Sequence, residues 1–464
     1  MNGDRLTASG ASRVEAVLAW WWAVFAFLYP FVVWPGYPAH ASVAQAKQYF
    51  TLFFVLMGGV LELAVWRKSP GPLRLREALC AHPPIVLWGL LFLWQALATA
   101  FSPDLDVALT GSLYDYADGL VWEALLGGVF LLAYRRFLID PETARRATWG
   151  LVAGSALLAL LALVEIFTGR GVYYTTVGPG DLPVVTFPGK GHLAGYFVLA
   201  FGVAVGLLAE ESALRPASLK ARVLLPALAF VNSFVSAFAL KRAGLLALAA
   251  VVAAAVLHRK RLGFLVLFLT LLGIGLGWTL VGSYRAEGKR DLGSPATLHT
   301  RFYYWEVALN GIGERPVWGW GGGVFEHYWP KFLPKERLEA FMREEIGWEG
   351  KLVEVYTFPG SQPFFLLDQG GGKAILAVVD GFRAHNQFLE VALKWGIPAL
   401  VFYLLLLGEA LKGLRFLRPE PLGLFGLHLF FLFWFSLPVH EGPMWLLMAG
   451  AVAGVKRARV KGGG

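Results

Sequence analysis

The chain has a single cysteine, Cys80, among 464 residues, which excludes a disulfide framework and a cysteine-built metal site. Charged side chains are also scarce, at 16% of the sequence, too few to clothe soluble domains of this total length. The Gly-rich stretch "GWGGGVF" lacks the Lys and Ser or Thr of a phosphate-cradling P-loop. A serine nucleophile elbow and Cys/His ligand spacing are missing as well. These absences remove P-loop nucleotide hydrolysis, thiolate-ligated metals and elbow-type serine hydrolysis, and neither a metal nor a cofactor is expected.

What the sequence has is apolar residues, 57% of the total, with a mean hydropathy of +0.57. Runs long enough to span a bilayer core of about 30 Å recur at 14–34, 49–66, 82–101, 119–137, 148–167, 192–209, 223–240, 243–257, 262–282, 387–411, 421–436 and 443–455. This is the pattern of an all-α polytopic membrane protein with about twelve transmembrane helices. Residues 1–282 would hold nine spans, 283–384 one large extramembrane segment, and 385–464 three more spans and a basic tail.

Basic residues collect in alternate loops, at 67–76, 135–146, 215–222, 259–261 and 412–418, and in the terminal segments. The short loops between them hold only Lys47, Arg170, Lys190, Lys241 and Arg242. By the positive-inside rule both termini lie in the cytoplasm and the long segment faces outward. The net charge of +9 is therefore a topology signal, and nucleic acid is not an expected partner.

Several outward stretches stand out. "FSPDLDVALTGSLYDYADGL" carries Asp104, Asp106, Asp115 and Asp118 and no base, which charge sorting explains more simply than cation binding. The Gly- and Pro-rich loop 168–191 leads to Lys190 and His192 at the start of a helix. Lys241 and Arg242 sit inside apolar sequence, where charge is expensive and usually functional. In the long segment, "RFYYWEVALNGI" has helical spacing with Arg301 and Trp305 on one face. "PKERLEAFMREEIGWEGK" reads as an amphipathic helix suited to the bilayer surface or to a lid.

The segment then ends in "DGFRAHNQFLEVALKWGIPAL", which brings Arg383, His385 and Asn386 to the mouth of a span. Helical periodicity predicts His385 and Gly396 on one helix face, pairs Glu390 with Lys394, and kinks the helix at Pro398. His440 and Glu441, on the last outward turn, are expected to line the same cavity. Arginine forks bind phosphate oxygens, and a histidine with an ordinary pKa near ~6.5 accepts a proton from a hydroxyl. Together they suggest attack by a hydroxyl on a carbon whose leaving group is a lipid-borne diphosphate.

At these residues the chain resembles the O-antigen ligase and polymerase superfamily. The resemblance rests on His385-Asn386 followed after nine residues by Gly396, on "KRAGLLAL", on "FSPDLDVALTGSLYDYADGL", and on "RFYYWEVALNGIGERPVWGWGGGVF". It implies a GT-C-like fold with one large periplasmic loop in a bacterial inner membrane. It also implies a metal-independent, inverting glycosyltransferase whose donor is an undecaprenyl-diphosphate-linked glycan and whose acceptor is a glycolipid or glycan. His385 would be the general base and Arg242 and Arg301 would bind the diphosphate. Lys241, Arg383, Asn386 and Lys190 complete the candidate binding set. Lys241 replaces a usual Ser, and "PGKGHLA" lacks an Asn common before the sixth span. The single long loop favours a ligase over a polymerase. A carrier for lipid-linked sugars is the reading from another class, and the two halves show none of the repeat symmetry a carrier would have.

Overall fold

The structure, a computed structural model, describes residues 3–34, 40–66, 83–112, 118–174, 182–213, 223–239, 241–286, 297–345, 350–358, 363–378 and 383–462, with Leu219 and Trp348. Cys80, Asp115 and the basic clusters at 67–76 and 215–222 lie outside the described residues.

In chain order the first helices are α1 (Gly3–Leu28), α2 (His40–Trp66), α3 (Pro83–Ala100), the short α4 (Leu105–Thr110) and α5 (Leu120–Ile139). They are followed by α6 (Pro141–Thr168), α7 (Lys190–Ala213), α8 (Leu225–Phe238), α9 (Arg242–His258) and α10 (Lys260–Ala286). The segment expected outside the membrane holds α11 (Thr297–Glu314), α12 (Lys335–Glu345), β1 (Lys351–Tyr356), β2 (Phe364–Asp368) and β3 (Ala374–Val378). The chain closes with α13 (Gln387–Leu411), α14 (Pro419–Phe430) and α15 (Pro438–Gly462).

Each apolar run overlaps a helix, although the one at 421–436 leaves it after Phe430. Among the described residues seven helices are long and apolar enough to cross a membrane, those within Arg13–Phe31, Val43–Val65, Pro83–Ala100, Pro141–Thr168, Lys190–Ser212, Lys260–Tyr284 and Gln387–Phe416. α8 and α9 are apolar but shorter. α7 is buried throughout residues 191–209, so it is the centre of the bundle. It packs on α8 and α14, while α1 lies on α6, α15 on α5 and α3 on α13.

The fold departs from an all-α chain in one place. β1, β2 and β3 form an antiparallel sheet in that order, part of a separate apolar core with Tyr303, Trp329, Phe341, Leu352 and Phe365. The amphipathic α12 buries Leu338, Phe341 and Met342 in this core. Its apolar face is therefore committed to the segment itself, neither spread on a bilayer nor left as a lid. Lys47, expected in a loop, is instead buried on α2, where its ammonium donates to the carbonyls of Tyr29 (2.5 Å) and Val32 (3.0 Å) at the end of α1. A lysine that neutralises orphan carbonyls at a helix end can leave water.

The two ends of the bundle differ in charge. Arg145 pairs with Glu211 (2.5 Å), Arg259 donates to Ala209 O (2.5 Å), and Arg418 packs against Gly454. α7 runs from His192 at the other end to that basic end, roughly 36 Å for a helix of its 24 residues.

Candidate functional site

At the end opposite the basic loops, four helices present their N-termini: α7, α9, α11 and α13. Each N-terminus carries a partial positive charge that favours an anion, although the first N–H groups of α13 are already bonded, to Phe431 O and to Asn386. The residue at their junction is Trp434, in the turn after α14. Lys241 Nζ lies 5.2 Å from its ring and Arg301 Cζ 5.6 Å, while the His385 ring meets it edge-on at 5.4 Å. The indole N–H donates to His192 Nδ1 at 3.2 Å. Gly191 makes room for the ring, since a Cβ there would come within 2.4 Å of it. Lys190 opens α7 one residue earlier.

Trp434 is the site residue that sequence reasoning missed. It was absorbed into the run 421–436, yet α14 ends at Phe430 and the chain turns back beneath α13. Gln387 N–H donates to Phe431 O (3.0 Å), Asn386 Nδ2 to Leu432 O (3.0 Å), and Ser436 N–H to Gln387 Oε1 (2.8 Å). The aromatic "FLFWFSLP" that ends at Pro438 is the available signal.

His385 precedes α13 with φ 47°, the left-handed region that non-glycine residues seldom adopt. Its Nδ1 lies 2.9 Å from the Arg383 carbonyl. A carbonyl only accepts, so Nδ1 carries the proton and Nε2 keeps its lone pair. Among the described residues no hydrogen bond reaches Nε2. The ring stacks on Tyr304 at 4.6 Å and touches Phe435 at 4.9 Å. Burial lowers its pKa to about 4, with Arg301 and Lys241 adding to the fall, against the Arg383 carbonyl and Glu390. The imidazole is thus neutral at physiological pH.

Arg301, half-buried near the start of α11, is pushed below the ordinary guanidinium pKa by burial and by Arg242, yet remains charged. Arg242 itself is exposed at the first residue of α9. Lys241, Arg242, Arg301 and His385 therefore share one electropositive region.

Two other candidates are engaged elsewhere. Asn386 is the N-cap of α13, its Oδ1 accepting from Phe388 N–H (2.9 Å) and Leu389 N–H (3.1 Å). Arg383 is buried and bound to carboxylates, with Asp118 Oδ2 at 2.6 Å, Glu390 Oε1 at 3.0 Å and Glu326 Oε1 at 3.4 Å. Lys394 joins the same cluster through Asp118 and Glu390 (3.3 Å). Burial opposes ionisation of Asp118, but Arg383 and Lys394 outweigh it and hold the carboxyl below its ordinary pKa. Of the other acidic-loop residues, Asp104 caps α4 by accepting from Val107 N–H (3.2 Å).

Gly396 does not continue the helix. Its φ of 79° and ψ of 170° interrupt α13 two residues before Pro398, and a Cβ would meet Val317 O at 1.9 Å. The expectation that His385 and Gly396 share a helix face fails, because His385 precedes the helix and Gly396 breaks it. The break lets "PVWGWG" dock: Ile397 N–H donates to Pro316 O (2.8 Å), Trp320 N–H to Leu393 O (2.9 Å) and Gly321 N–H to Lys394 O (2.8 Å). His440 and Glu441 do not share a cavity either. His440 Nε2 donates to His192 O (2.8 Å) behind Trp434, whereas Glu441 lines a separate small cavity with Glu123, Glu390 and Lys394. No protein-family model matches the chain, and no curated protein or solved structure is similar to it.

Proposed function

We propose that the protein is a membrane glycosyltransferase of the O-antigen ligase type, acting on the outer face of a bacterial inner membrane. It moves a glycan from undecaprenyl diphosphate to a hydroxyl of a lipid A core sugar or similar acceptor. The observation that carries this reading is the meeting of four helix N-termini with Lys241 and Arg301 around Trp434, beside a histidine whose Nε2 is unprotonated. An electropositive region next to a neutral base is what such a transfer requires.

In the reaction the acceptor oxygen attacks the anomeric carbon from the side opposite the diphosphate, and the C–O bond to the diphosphate breaks with inversion. The hydroxyl proton passes to His385 Nε2. Lys241, Arg242 and Arg301 stabilise the charge that grows on the departing oxygen. The imidazolium formed is held through Nδ1 by the Arg383 carbonyl, which accepts in both protonation states.

The test is purified protein in lipid nanodiscs with a synthetic undecaprenyl-diphosphate glycan and acceptor. Wild type should release undecaprenyl diphosphate, and His385→Ala should lose about 10²–10⁴-fold of that release, the usual contribution of a general base. Relocation of donor across liposomes without release would make the chain a carrier. Extension of a second lipid-linked glycan would make it a polymerase.

A further inference from the structure

A histidine in left-handed backbone needs restraint on both sides to hold one orientation. On the C-terminal side the restraint is the Asn386 cap. On the N-terminal side it is Arg383, and the contacts of that side chain are unlike those of a substrate ligand. Asp118 comes from the turn before α5, Glu326 from the segment after α11, and Glu390 from the first turn of α13. All three carboxylates and the guanidinium are more than nine-tenths buried. Glu390 Oε2 also accepts from Ala384 N–H at 2.9 Å. Arg383 and Ala384 are therefore fixed through both side chain and backbone. The carbonyl between them is the acceptor of His385 Nδ1.

We propose that Arg383 is a positioning residue: anchored by Asp118, Glu326 and Glu390, it fixes the main-chain carbonyl that orients the His385 ring and leaves Nε2 as its only reactive nitrogen. The carbonyl does here what a carboxylate does beside many catalytic histidines, and the carboxylates act one step back, through the guanidinium. A neutral carbonyl leaves the imidazole less basic than a carboxylate would. The charged groups facing His385 are Arg301 from α11, Lys241 from the turn before α9 and Glu390 from α13. Only the kinetic arm of the test rests on the transferase reading.

The experiment uses the full chain in nanodiscs with Asp118→Asn and Glu326→Gln, each isosteric, read in two ways. Diethyl pyrocarbonate modifies unprotonated imidazole nitrogen, and peptide mass spectrometry resolves His385 from the other eight histidines. In wild type, modification of His385 should persist until the pH approaches about 4. In both variants the half-point should rise by one to two units toward the free-imidazole value of ~6.5 as the ring loosens and gains water. In the kinetic arm kcat should fall roughly 10- to 100-fold with donor KM within about twofold, the signature of a misplaced base. If Asp118→Asn does not fold, Glu326→Gln decides, since it keeps the two shorter ion pairs. Wild-type modification profiles in the folded variants overturn the proposal. A moved half-point in a protein without transfer activity supports positioning and removes the transferase reading instead.

Discussion

Arg383 and His385 are two residues apart and have opposite surroundings, and the difference sets what each can do. Arg383 is satisfied by carboxylates up to 265 positions away in sequence, which is why its role was not legible from a stretch that showed only an arginine beside a histidine. His385 could be proposed as a base from sequence because its type and its place at a span mouth are local facts. Its acidity is not local, and it gives the first prediction. Protonated imidazole cannot accept the acceptor's proton, so activity is lost as pH falls through the folded pKa. With that pKa near 4, kcat/KM should stay level from pH 7 to about 5 and decline only below. Bound diphosphate adds negative charge beside Arg301 and Lys241, relieving part of their effect on His385. The acid limb of kcat should therefore lie at higher pH than that of kcat/KM, and coincident limbs would place the donor away from His385. Arg301→Lys should raise donor KM about tenfold, because an ammonium cannot reproduce the planar fork. Trp434→Leu should weaken the donor by a similar factor through loss of the surface that holds both cations. Trp434→Phe keeps a ring and should cost less, and equal losses from the two would assign the effect to the N–H bond with His192.

At the scale of elements the helices could be read from apolar run length, because the bilayer thickness sets how long such a run must be. Their breaks could not. The period from His385 to Gly396 fits an unbroken helix, whereas Gly396 adopts φ 79° and ψ 170°, a combination essentially reserved for glycine. What selects the break is the "PVWGWG" turn, whose three hydrogen bonds to residues 393–397 need close backbone approach. Gly396→Ala would have to open the 1.9 Å approach to Val317 O, and backbone cannot yield as a side-chain tip does. We expect a loss of several kcal/mol, seen as a marked fall in the detergent-solubilised melting temperature, with transfer abolished. Asn386 separates two further effects. Asn386→Asp keeps the capping oxygen and loses the donor to Leu432, so it should cost less than Asn386→Ala, which removes about 1 kcal/mol of capping as well. The tract to Asp380 reads as a mixture of strand-like and Gly-rich pieces that sequence does not delimit, for a comparable reason: "KLVEVY", "FFLLD" and "AILAV" are short, and their mutual pairing is what sets their bounds.

For the whole molecule the decisive property is polarity of the bundle. α7, α9 and α13 each start at the Trp434 cluster and run toward the basic end, so cationic loops and candidate site are separated by the full length of three helices. Alternation of Lys and Arg along the sequence requires this arrangement, since loops of one sign must share a side for the charge rule to operate. The rule also gives it a direction. By that rule the basic end is expected in the cytoplasm and the β2–β3 turn, carried on the same segment as Arg301, on the outer side. With Cys80 replaced by Ser, a cysteine at Gly371 in that turn should react with a membrane-impermeant maleimide in intact cells. One at Glu142, exposed beside Arg145 and Arg146 at the other end, should react only after permeabilisation. Reversed labelling would put His385 and its cations on the cytoplasmic side. A transferase acting on the outer face would then be excluded, whatever the chemistry of the cluster.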